Sequence, residues 1–141
     1  MLNTLRKAAQ ALAAVAVMIA SISLATATPA AAAGATSCPS DGYITRWDRC
    51  TSLSNGVLSL RTVSAGNYIT VNYYRSSGSS LSAKLGYERS GSSVYSSYIN
   101  MSTTPFHYER SWSVSASCAV VYGKLLTSGG TLYVTPAADP C

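Results

Sequence analysis

The chain carries a single histidine, His107, three aspartates (Asp41, Asp48, Asp139) and two glutamates (Glu88, Glu109), so proton-transfer chemistry has few candidates. Serines are abundant, and a nucleophile–base–acid set with His107 can be drawn on paper. No serine, however, sits in a Gly-x-Ser-x-Gly turn or a similar activating context. A glycosidase-type pair needs two carboxyls held across a cleft at a set separation, and nothing in the spacing relates Glu88 to Glu109. The cysteines Cys38, Cys50, Cys118 and Cys141 include no Cys-x-x-Cys pair and have one histidine for company, which does not make a zinc set. The reading is a protein that is not an enzyme, with no cofactor and no metal.

Residues suited to binding are better supplied. Ten tyrosines and two tryptophans stand in a background rich in Ser, Gly and Thr and poor in charge. Tyrosine among Ser, Gly and Asn is the composition of adaptable binding surfaces, because it buries a large area at little rotamer cost. Two places stand out. The segment between Cys38 and Cys50 holds Tyr43, Arg46, Trp47 and Arg49; closed by a disulfide it would be a preorganised loop bearing residue types common in hot spots. The second is a surface with Tyr68, Tyr74, Lys84 and Tyr98. Each has a plainer explanation: Trp47 as a core residue, and the tyrosines as cross-strand filler or the underside of a second sheet.

What would position that surface is the stretch from Asn67 to Met101: three strand-like runs joined by two nearly identical loops, SSGSS and RSGSS. Folded symmetrically, the first loop sets Arg75 opposite Leu81, Tyr73 opposite Ala83, Val71 opposite Leu85 and Ile69 opposite Tyr87. The second sets Tyr87 opposite Tyr95, Ala83 opposite Ile99 and Leu81 opposite Met101. One face then collects the apolar residues, and a one-residue slip would turn them toward water. The expectation is a three-stranded meander whose outward rows include Asn72–Lys84–Tyr98, Tyr74–Ser82–Asn100 and Tyr68–Glu88–Val94.

Before this stretch, Ser54-Asn55-Gly56 is a turn signal, and Val57–Val63 puts Leu58 and Leu60 on one side with Val57, Ser59 and Arg61 on the other. After it, Phe106–Ser115 puts Phe106, Tyr108, Trp112 and Val114 on one face. Arg110 interrupts that face, which marks an edge, a bulge or the end of the core. Ala116–Leu126 and Thr131–Thr135 complete the set. Seven or eight short strands at regular spacing, with no helix after the leader, predict an all-β fold: a small antiparallel sandwich, immunoglobulin-like by default, or a small barrel.

The first residues read as an address. Arg6 and Lys7 precede the apolar run Ala8–Leu24, and Ala31-x-Ala33 offers a cleavage site before Gly34, which is the order of a secretory signal peptide. The expected division is a signal peptide over 1–33 and one β-domain over 34–141, secreted and free of the membrane after cleavage. Losing Arg6 and Lys7 lowers the formal charge of +5 by two, to +3. The remaining basic residues are scattered singly, which argues against a nucleic-acid partner. An even cysteine count in an exported chain predicts two disulfides. Three connectivities are open; Cys38–Cys50, a short ring, with Cys118–Cys141, a pin for the C-terminus, is favoured.

The Ala-rich leader, the CPSDGYITRWDRC stretch and a Tyr/Ser/Gly β-domain closing on a terminal cysteine resemble small exported proteins of filamentous soil bacteria. Within that group the chain resembles the adapter subunits of umbrella toxin particles. The resemblance implies a non-enzymatic link between a long toxin-bearing subunit and lectin-like subunits, reached through 34–40 and the ring that follows. Secreted inhibitors of proteases or amylases share the size, leader and disulfide count, with the Cys38–Cys50 ring as the inhibitory loop. A carbohydrate or cell-surface module is a third expectation. The partner expected first is another secreted protein.

Overall fold

A computed structural model describes Cys38 and residues 49–141. The leader and the segment bearing Tyr43, Arg46 and Trp47 lie outside the described residues. Short runs of β-branched and aromatic residues, cut by Ser/Gly/Asn turns, become nine strands. They are β1 (Arg49–Leu53), β2 (Gly56–Val63), β3 (Tyr68–Arg75), β4 (Ser82–Arg89), β5 (Ser92–Tyr95), β6 (Ile99–Asn100), β7 (Phe106–Ser113), β8 (Val121–Thr127) and β9 (Leu132–Val134). One sheet has the order β1-β2-β3-β7 and the other β5-β4-β8-β9, with β6 also on β4; every pairing is antiparallel.

The chain changes sheet between β3 and β4, between β6 and β7, and between β7 and β8. The neighbouring pair β3–β7 in one sheet and β4–β8 in the other therefore interlock, as in an immunoglobulin-like sandwich. The sheets do not close on each other, so the barrel alternative is set aside.

Alternation dictates what each strand buries. Leu58 and Leu60 of β2, Ile69, Val71 and Tyr73 of β3 and Tyr108 of β7 face Ala83, Leu85 and Tyr87 of β4 and Val121 and Leu125 of β8, with Met101 beside them. Each large side chain in that layer contributes about 1.5–3 kcal/mol relative to exposure. Gly123 sets the spacing between sheets: a Cβ there would stand 3.1 Å from Leu60 Cβ and from Thr135 Cγ2. Disulfides Cys38–Cys50 and Cys118–Cys141 are both formed, which indicates an oxidising environment. Among the described residues no helix is long and apolar enough to cross a membrane.

The expected meander is corrected. β3 does not pair with β4; it is flanked by β2 and β7, with Tyr73 opposite Leu58 and Tyr108. Residues 76–81 instead carry the chain across the sandwich. The apolar pattern could not distinguish the two, because strands side by side in one sheet and strands facing each other bury the same alternate residues. Sheets pack about 10 Å apart, well within the reach of six residues.

The second loop is half corrected. Ser90 (φ 52°) and Gly91 (φ 76°) form a two-residue turn of the kind that suits strand twist, so Tyr87 faces Val94 and Tyr95 faces Gly86. An extra residue is then absorbed around Ser96, whose N–H donates to the Leu85 carbonyl and whose Oγ accepts from the Leu85 N–H. Beyond it, Ala83 faces Ile99 as expected. Arg110 lies on the edge strand β7, opposite Val71, and its side chain is exposed. An inward-register charge on an edge discourages pairing with another chain.

Candidate functional site

The two sheets divide the expected binding surface. Lys84 lies on the outer side of β4 with its Nζ 4.5 Å from the centroid of the Tyr98 ring, so these two do come together. Tyr68 and Tyr74 belong to β3 and the outer side of the other sheet. The rows joining Asn72 to Lys84, Tyr74 to Ser82 and Tyr68 to Glu88 therefore do not exist, although Ser82 does face Asn100. Arg49 begins β1, and its Nε donates to the Ala137 carbonyl at 3.1 Å, which ties the C-terminal tail to the first strand. Tyr43, Arg46 and Trp47 fall outside the described residues.

On the outer side of the β1-β2-β3-β7 sheet, Tyr74 and His107 stand in register with ring centroids 4.5 Å apart. His107 Nδ1 is 3.2 Å from Asn72 Oδ1, and Asn72 Nδ2 donates to Ser59 Oγ at 3.4 Å. The imidazole thus meets an amide in a polar network. This side is not a solvated face as alternation suggested: Val57, Ser59 and Asn72 are all buried, and Cys50 stands in the row of Ser59 and Asn72. Tyr68, at the far end of β3, is well exposed.

The outer side of the other sheet is different in kind. Tyr98 is 51% exposed and Leu132 41% exposed. Between them in register lie Lys84 and Leu126, and the next row holds Tyr95, Gly86, Lys124 and Val134. The one-residue change of register turned Tyr95 outward, against the expectation that placed it in the core. Its ring fills the space over Gly86, where a Cβ would come within 2.4 Å of Tyr95 Cδ1. Tyr95, Leu126, Leu132 and Val134 were not singled out from sequence. The available signal was weak: Leu126 and Leu132 sit at alternating outward positions of two short strands, which periodicity alone reads as core.

One ion pair crosses this face. The Lys124 ammonium bonds the Glu88 carboxylate and also donates to Ser93 Oγ at 2.8 Å. The Lys124 bond holds the Glu88 carboxyl below its ordinary 4.5, against an opposing effect of burial. A lowered carboxylate contributes stability that is complete above that ordinary value and is lost as pH falls through the folded value. Glu88→Gln is therefore expected to lower the urea midpoint at neutral pH and to match the parent once pH drops well below 4.5. A gap that persisted unchanged into acid would reject this origin.

Chemically, the described residues present hydrogen-bond donors, aromatic rings and apolar side chains on the outer face of this sheet. No group of three or more His, Cys, Asp or Glu that could hold a metal ion occurs among them. No family model matches the chain, and comparison with curated proteins and with solved structures returned no match.

Proposed function

We propose that this protein is an exported, non-catalytic binding module that docks a second exported protein through the outer face of the β5-β4-β8-β9 sheet. The observation that carries the reading is the contiguous run Tyr98–Lys84–Leu126–Leu132, aromatic and aliphatic, on the outside of a sheet whose inner side is already packed. Tyr98 offers a large ring at low entropic cost, already steadied by Lys84. The cross-linked sandwich supports the reading further, since a rigid surface loses little freedom on docking. An adapter within a secreted antibacterial toxin assembly is the specific form proposed, and it rests on the resemblance of the sequence.

The test is affinity purification of the tagged protein from its native culture fluid, with the Tyr98→Ser/Leu132→Ser double variant in parallel. Discrete large proteins are expected with the parent and at least about 10-fold less of them with the variant, the loss typical of a docking hot spot. Equal capture by both would remove this face from the proposal. Recovery of one hydrolase, inhibited by the protein, would replace the adapter by an inhibitor.

A further inference from the structure

The alternation of β3 runs Ile69, Val71, Tyr73, Arg75, and places a guanidinium where a core side chain belongs. Arg75 is only 2% exposed. Its Nη1 donates to the Met101 carbonyl and its Nη2 to the Ser79 carbonyl, while Nε is buried without a partner. Two of five N–H donors are thus assigned. Carbonyl dipoles are not a counter-charge, and the ion pair found among the described residues is Lys124–Glu88, on the far side of the other sheet. A buried charge without a counter-ion is costly unless something supplies one.

Beside Arg75 lies a cleft of about 160 Å³ at the end of the sandwich, where residues 76–81 cross between sheets. Asn55, Ser80, Thr127 and Tyr133 give it a polar lining, and Tyr73 reaches it from the core. Burial holds the Tyr73 phenol above its ordinary 10.0, against the pull of Arg75, so it remains a neutral donor. At Gly78 a Cβ would stand 3.0 Å from the Asn55 amide and 3.1 Å from Arg75 Nη2, so both groups flank one spot. The volume is well below the roughly 300–1,000 Å³ of drug-sized pockets. Its size and donor lining suit an acidic side chain.

We propose that this cleft is a carboxylate site in which Arg75, with hydroxyl and amide donors around it, receives a Glu or Asp side chain presented by another polypeptide. It does not depend on the outer-face reading, since it lies at a different place and recognises charge.

The experiment titrates the purified protein with sodium acetate and with a blocked Ala-Glu-Ala peptide, each against sodium chloride at matched ionic strength. The expected result is a saturable displacement of the Arg75 Nε–H resonance and a rise in thermal midpoint of about 5–10 °C at tenfold Kd. Tighter binding of the peptide than of acetate identifies the occupant as a side chain. The companion variant Asn55→Asp sets a carboxylate at the cleft in a turn position that tolerates it. It should raise the midpoint by itself and abolish the response to both probes. The site is overturned if the parent responds to carboxylate no more than to chloride, or if Asn55→Asp responds as the parent does. The resonance measurement on the parent stands even if the variant does not fold.

Discussion

Replacing Arg75 with alanine is expected to lower stability by about 3 kcal/mol, the range for emptying a well-packed position. The loss has two physical sources. The long side chain leaves a void beside Tyr73 and Leu81, and the Met101 and Ser79 carbonyls lose their donors. Ser79 belongs to the crossing between the sheets and Met101 follows β6, so one guanidinium holds both links at that end of the sandwich. Arg75→Met separates the sources: it keeps most of the volume and removes the uncompensated charge, and should cost under half as much. Urea midpoints at constant slope provide the measurement. An alanine variant as stable as the parent would mean that the guanidinium pins nothing.

The second large effect belongs to the C-terminus. The Cys118→Ala/Cys141→Ala variant is expected to lose about 3 kcal/mol, since a loop of this span constrains the unfolded chain by that amount. The folded tail has other holds: Ala138 exchanges two hydrogen bonds with Val121, at 2.9 and 2.8 Å, and Arg49 Nε reaches the Ala137 carbonyl. The variant should therefore keep the native fold, with protected Val121 and Ala138 amides in hydrogen exchange, and show its loss in the unfolding midpoint. Loss of that protection without a fall in midpoint would show that the disulfide only anchors the tail locally.

The same residues explain what could and could not be read in advance. Leu58 and Leu60 against Val57 and Ser59, or Tyr108 and Trp112 against His107 and Glu109, show which side of a strand meets the core, because side chains alternate with a period of two. Arg110 was legible as an interruption and is an edge residue. The outward Tyr95 was not legible, because a two-residue turn at Ser90-Gly91 and an extra residue near Ser96 cancel over the length of the hairpin. Loop composition alone favoured the symmetric pairing.

Alternation, turn residues and cysteine count were enough to specify an all-β domain with two disulfides, since strand period and cross-link chemistry are local properties of the chain. The tertiary structure decided which strands are neighbours, and so put Lys84 with Tyr98 on one sheet and Tyr68 with Tyr74 on the other. It also buried Arg75 at the end of the core. Neighbour choice depends on backbone pairing between residues far apart in sequence, and the apolar pattern is identical whether two strands lie side by side or face to face.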